Sequence, residues 1–310
     1  MFQPVSIEND HLELEVWPQF GGKVSSILDK TDGYNLLFTY PDELPTRNRY
    51  DAPYANSWHA GWDECFPAIT GGPYAGHPYD GIPVPDHGEL WGLPTTAVPT
   101  KNGITTVWNG LRFGYRITRK LQLDGPSITA QYTLTNLAPF PFHFVWAMHA
   151  MLAMEQPIEL RPASGPYVWT TNAESKLIDQ PFDWPRVSEG QDLSHPEALP
   201  AKMGWKSYSA SPITSAATVL YPGRGRQLQI GYTAGEGGPA AYWGVWVNTG
   251  GWAGQRQAAI QPTIGRHDTL GTSIRDRSCG TVEPMGRCEW SVKLNVGVIH
   301  PAGLKTTSTQ

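Results

Sequence analysis

Phe113-Gly114-Tyr115-Arg116-Ile117-Thr118-Arg119-Lys120-Leu121-Gln122-Leu123 and Ile128-Thr129-Ala130-Gln131-Tyr132-Thr133-Leu134 carry the signature that decides the fold. In the first run Phe113, Tyr115, Ile117, Leu121 and Leu123 hold one phase, and polar or small residues hold most of the other. In the second run Ile128, Ala130, Tyr132 and Leu134 alternate with Thr129, Gln131 and Thr133. A period of two places the apolar residues on one face of an extended chain. Asp124-Gly125-Pro126-Ser127 between the runs is turn chemistry, so the two strands form a hairpin. The same alternation recurs near the start, in Leu12, Leu14 and Val16. It recurs near the end, in Trp290, Val292, Leu294, Val296 and Val298.

Composition supports an all-β reading. The 310 residues include 33 Gly and 28 Pro, which favour turns over long helices. Charged residues are only 16%, too few for a coiled coil or a disordered chain. The segment Asp179 to Leu199, with Pro181, Pro185 and Pro196, reads as a long loop with at most a short helical turn. No Gly/Ser linker divides the chain. The expectation is one all-β domain of stacked antiparallel sheets over residues 1–303, followed by a polar tail at 304–310.

Other classes are set aside on charge and spacing. The net charge is −5 and no Lys/Arg stripe exists, so no nucleic-acid partner is expected. No apolar run reaches the ~20 residues that cross a bilayer, so no membrane partner is expected. The N-terminal stretch lacks the basic start and apolar centre of a secretory leader, which predicts a cytoplasmic location. Cys65, Cys279 and Cys288 give neither a disulfide framework nor a zinc pattern. His59, Asp63, His77, His87 and Glu89 have no tight metal-ligand spacing, so neither a metal nor another cofactor is expected.

Four segments concentrate polar chemistry among aromatics. Pro85-Asp86-His87-Gly88-Glu89-Leu90-Trp91 is a proline-led loop, the setting in which binding groups concentrate. Phe142-His143-Phe144-Val145-Trp146-Ala147-Met148-His149 is apolar except for its histidines. An imidazole in such a strand needs partners for its ring nitrogens. Ser57-Trp58-His59-Ala60-Gly61-Trp62-Asp63-Glu64-Cys65 holds adjacent carboxylates that point to opposite faces of a strand, so one of the two faces any shared site. Ala259-Ile260-Gln261-Pro262-Thr263-Ile264-Gly265-Arg266-His267-Asp268 follows a Trp-rich strand and a glycine turn. Pro262 after Gln261 also fits a strand end there. Trp62, Trp91, Trp246 and Trp252 offer apolar faces for a sugar ring, or core packing. Arg47 and Arg49 offer a bidentate clamp for a sugar phosphate, or a solvated pair in a polar loop.

In their order, these segments resemble the aldose 1-epimerase (galactose mutarotase-like) superfamily over about residues 5 to 300. The early turn Pro18-Gln19-Phe20-Gly21-Gly22-Lys23 is also similar to that family's. The resemblance implies a β-supersandwich and a small-molecule carbohydrate as partner. It also implies acid/base chemistry that opens and recloses a cyclic hemiacetal, on a free or phosphorylated aldose. By resemblance His149 is the general acid and His87 binds the sugar. The family's catalytic glutamate falls at Gln261, whose amide hydrogen-bonds but takes no proton. The replacement base is then expected among Glu89, Asp63, Glu64 and Asp268, of which Asp63 and Glu64 are also candidate sugar-binding groups. The alternatives are a carbohydrate-binding protein without catalysis, or a glycosidase- or lyase-like enzyme on the same scaffold.

Overall fold

A computed structural model describes residues 2–40, 42–46, 49–171, 180–188 and 191–299. Arg47 and the tail at 304–310 lie outside the described residues. Two antiparallel sheets dominate. The larger has twelve strands, and its central neighbours are Lys23–Asp29, Trp62–Cys65, Trp146–Ala150, Arg256–Ile264, Tyr242–Thr249 and Gly204–Ser209, in that spatial order. The smaller has eight strands and is centred on Arg226–Ala234, Arg287–Val298, Ser127–Asn136 and Tyr115–Asp124. The all-β architecture expected from alternation is the one observed.

The diagnostic hairpin forms as read. Tyr115–Asp124 pairs with Ser127–Asn136 over its full length, and Gly125 at φ +53 supplies the turn. Ile117, Leu121, Ile128, Tyr132 and Leu134 are buried between the sheets. Arg119 shares their inward phase and is also buried. Its guanidinium donates to Glu64 at 2.8 Å and to the Gly22 carbonyl. It lies over the rings of Trp62 and Trp108. Tyr132 Oη and Trp146 Nε1 also donate to Glu64. A charged pair thus sits inside an aromatic layer in which Tyr132 stacks on Trp290 with centroids 5.2 Å apart.

Gln261 does not end a strand. Arg256–Ile264 runs through Pro262. Proline has no N–H to give to a ladder, and pairing with Trp146–Ala150 runs over Ile264 and Thr263 and stops before Pro262. It resumes at Leu152–Ala153 opposite Ala258 and Gln257 in the same register. The region read as a loop before Leu199 contains short strands, Pro181–Asp183, Arg186–Ser188 and Gln191–Asp192, and a 3-10 turn at Pro196–Ala198. Leu270–Arg275 is the single α-helix among the described residues. None of their helices is long and apolar enough to cross a membrane.

Candidate functional site

Strand register builds the site. His149 pairs directly with Asp63. The register kept on both sides of the Pro262 break sets His149 level with Gln261 on its other side. Gln261 pairs with Gly244, and Gly244 with Tyr208. Alternation then puts Asp63, His149, Gln261 and Tyr208 in one row on one face, joined by Lys206 and Trp246 two residues along. The opposite face carries Glu64, Met148, Ile260 and Val245 into the core. Gly244 leaves a gap in the row: a Cβ there would lie 3.1 Å from Gln261, Thr263 and Tyr208.

Asp63 anchors one end. Its Oδ2 pairs with Lys23 Nζ at 2.5 Å, and both side chains are buried. Lys23 also donates to the Ala60 carbonyl. The second oxygen, Oδ1, is buried and has no partner among the described residues. Tyr54, in a short turn after Pro53, places its hydroxyl 3.0 Å from Asp63 Oδ2 and 3.2 Å from His149 Nδ1. Burial and the Asp63 charge push the phenol pKa well above its usual range, so Tyr54 stays protonated. A carboxylate only accepts, so the phenol donates to Asp63. The phenol oxygen is then left to accept from His149 Nδ1–H, and Nε2 keeps the free lone pair. Burial, followed by the positive charges of His87, Lys206 and Lys23, holds the His149 pKa well below its ordinary value. His149 is therefore a neutral imidazole near pH 7, with Nε2 as its acceptor.

His87 reaches the same row from its loop. Its backbone is left-handed at φ +58, an uncommon conformation for a residue with a side chain. Its N–H donates to the Ile69 carbonyl at 2.7 Å. Its ring stacks on Tyr54 with centroids 3.8 Å apart, and Nδ1 meets Asp86 at 2.9 Å. The His87 and His149 rings lie edge to face at 5.1 Å. Gly88 must be glycine, because a Cβ there would fall 2.0 Å from the Phe66 carbonyl. Burial raises the Asp86 pKa, but the hydrogen bond and charge of His87 outweigh it and hold the carboxyl below its ordinary range.

The remaining expected residues are distributed differently. Glu89 is 0% exposed, and its oxygens accept from Tyr50, from Tyr115 at 2.7 Å and from the Arg112 N–H at 2.9 Å. It ties down the loop and does not share the face of His149. Glu64 faces the interior with Arg119. Neither carboxylate has the surroundings expected of a base or a sugar-binding group. Trp91 is buried beneath the loop, where its indole donates to the Asp86 carbonyl and packs edge-on to Tyr54. Trp246 is half-buried on the site face. Asp268 accepts from Lys206 at 2.7 Å and Tyr208 at 2.6 Å. Burial opposes its ionisation, yet the charge and hydrogen bond of Lys206 and the hydrogen bond of Tyr208 hold its pKa below the usual range. Gln261 is 1% exposed, and neither amide atom has a partner among the described residues. Among the described residues, no group of three or more His, Cys, Asp or Glu is placed to hold a metal ion.

Sequence reading missed Tyr54, Lys23, Lys206 and Tyr208. Tyr54 lies in a turn without a motif. Lys23 was visible only as the residue after a glycine pair. Lys206 and Tyr208 share the alternating phase of Gly204–Ser209, but nothing local marks that phase as a site.

No family model matches the chain, and no curated protein matches it. Solved structures do. A protein from Synechocystis sp. PCC 6803 superposes with a TM-score of 0.71 at 15% identity, covering 96% of each chain. A galactose mutarotase-like protein from Lactobacillus casei gives 0.70 at 14% identity, covering 95% of this chain and 100% of that one. Another galactose mutarotase-like protein, from Clostridium acetobutylicum, gives 0.69 at 13% identity over 95% of each chain. Similarity across nearly the whole length makes this a galactose mutarotase-like β-supersandwich fold.

Proposed function

We propose that the protein is an aldose 1-epimerase-like enzyme that interconverts the anomers of a free aldose, using two histidines as its acid/base pair. The observation that carries this reading is the hydrogen-bond chain from Asp63 through the Tyr54 hydroxyl to His149 Nδ1, from which the tautomer of His149 follows. Tyr54 and Asp63 hold its Nδ1 proton, so a neutral Nε2 lone pair is left to take a proton. The resemblance implied the opposite role, general acid, for this residue.

The chemistry follows from the two rings. His149 Nε2 takes the proton of the anomeric hydroxyl while the bond between C1 and the ring oxygen breaks. His87, held through Nδ1 by its hydrogen bond with Asp86, gives a proton to the departing ring oxygen. The aldehyde turns about the bond from C1 to C2. On closure the ring hydroxyl oxygen attacks the other face of C1 while His87 takes its proton back, and His149 returns its own proton to the aldehyde oxygen. No net proton is consumed, and each positioned group contributes on the order of 10²–10⁴-fold. The amide of Gln261, without a partner among the described residues, is free to bond a sugar hydroxyl, as donor and as acceptor.

The test is anomer exchange followed by NMR on glucose, galactose and their 6-phosphates. Acceleration over buffer that is lost in His149→Ala is expected. Gln261 favours a second reading, binding without turnover, because an amide cannot act as the base. Tight sugar binding with no acceleration on any of these sugars would replace the enzyme reading with that one.

A further inference from the structure

The site face continues along strand Arg256–Ile264, away from His149. Four residues before Gln261, on the same face, is Gln257, about 13 Å away at the usual rise of a strand. Register places Gln257 beside Asn248, and Asn248 beside Gly204. Gln257 is buried, and its Oε1 has no donor among the described residues, although its Nε2 donates to Gln255.

Two indoles stand beside this row. Trp246 leans over the backbone of Gly204, and Trp252 meets it there. A Cβ at Gly204 would lie 2.9 Å from Trp246 and 3.1 Å from Trp252, so only glycine leaves room for both rings. Trp252 is carried by the loop Gly250-Gly251-Trp252-Ala253-Gly254. Asn248 pins that loop on either side of the indole: its Oδ1 accepts from the N–H groups of Gly250 and Trp252, and its Nδ2 donates to the Trp252 carbonyl. The indole is nevertheless 53% exposed. An exposed apolar side chain alone is ordinary. Here its loop backbone is pinned by Asn248 and a second indole abuts the same glycine, beside a buried amide oxygen that lacks a donor among the described residues.

We infer that this end of the face is a second carbohydrate subsite, and that the ligand is an oligosaccharide of two or more pyranose rings whose reducing end lies at His149. The indoles take the apolar face of a distal ring, and the Gln257 amide takes one of its hydroxyls. A single ring at His149 does not span the distance to Gln257. The inference rests on the carbohydrate reading proposed above and names the substrate class for it.

Titration calorimetry on the full chain tests it, comparing glucose, galactose and mannose with maltotriose, cellotriose, galactotriose and mannotriose. At least one trisaccharide is expected to bind about tenfold tighter than its monosaccharide. Trp252→Ala is expected to remove that gain, leave the monosaccharide affinity in place and keep the wild-type melting temperature, since the indole is half in solvent. Equal affinity for every matched pair overturns the subsite, as does a gain that survives both Trp252→Ala and Trp246→Ala, or no binding of any sugar. Anomer exchange measured on the same samples keeps the two ideas apart. Exchange without a chain-length preference removes the subsite and leaves the mutarotase reading standing. A chain-length preference without exchange does the reverse.

Discussion

Asp63 and His149 face each other on adjacent strands, and a single phenol, that of Tyr54, touches both. The carboxylate therefore acts on the imidazole through an intervening hydroxyl, which fixes where the imidazole proton resides. Tyr54→Phe removes the link without removing the ring that stacks on His87. The expected result is a fall in kcat of about 10–100-fold with KM little changed, because the lost effect is on proton transfer. Steady-state anomer exchange in the variant checks this. An unchanged kcat would mean that the tautomer is set elsewhere.

The depressed His149 pKa makes a prediction about pH. The acid limb of the activity profile should fall below the range of an ordinary histidine, since the working form is the neutral one. Stability carries the same signature. Between the folded and unfolded pKa values the unfolded chain binds a proton that the folded chain refuses, so stability rises with pH in that window. The contribution is full above the ordinary value near 6.5 and is lost as pH falls toward the folded value. Melting curves from pH 7 to pH 5, in parallel with His149→Gln, should show a steeper decline for the native chain.

The interior ion pair predicts an asymmetric mutational response. Arg119→Met leaves the buried Glu64 carboxyl without its main partner among Trp62, Trp146 and Tyr132, where burial already pushes its pKa up, and about 3–5 kcal/mol of stability should be lost. Pairing it with Glu64→Gln should restore much of that loss, because the unpaired carboxyl is gone. Urea unfolding of the two single variants and the double variant measures the coupling.

Gln261→Glu places a carboxylate level with His149. If the amide orients a sugar hydroxyl, the new group adds a proton acceptor near the same atoms and should speed exchange about tenfold or more. It should also raise the His149 pKa, because the new negative charge favours the imidazolium. The readout is the exchange rate together with the pH of its acid limb. A slower variant with an unmoved acid limb would separate Gln261 from the reacting centre.

Much of the architecture was legible because alternation is a local signal. Phe113 to Leu134 shows its hairpin within a few residues, and Asp63 and Glu64 must split between faces because they are neighbours on a strand. Arg119 defied the pattern: its inward phase is plain, but a buried arginine makes sense only once Glu64, from a strand of the other sheet, is beneath it. The site was half legible. His87 and His149 stand out as polar residues in apolar or proline-rich runs. Tyr54, Lys23, Lys206 and Tyr208 do not, because their roles come from strand register and loop closure across long separations. Glu89 misled for the same reason. A loop carboxylate next to a histidine looks available until Tyr50, Tyr115 and the Arg112 N–H are seen to occupy it.

Gly244 has a consequence for assembly. The row it interrupts draws on five strands whose order in space differs from their order along the chain. No short stretch of the chain brings Asp63, His149, Gln261 and Tyr208 together, and the gap at Gly244 closes around Gln261 and Tyr208 only after three late strands have zipped. Pairings of such long range form slowly. Activity should therefore be the last property to return on refolding, after secondary structure and burial of tryptophan, and its recovery would time the completion of the sheet.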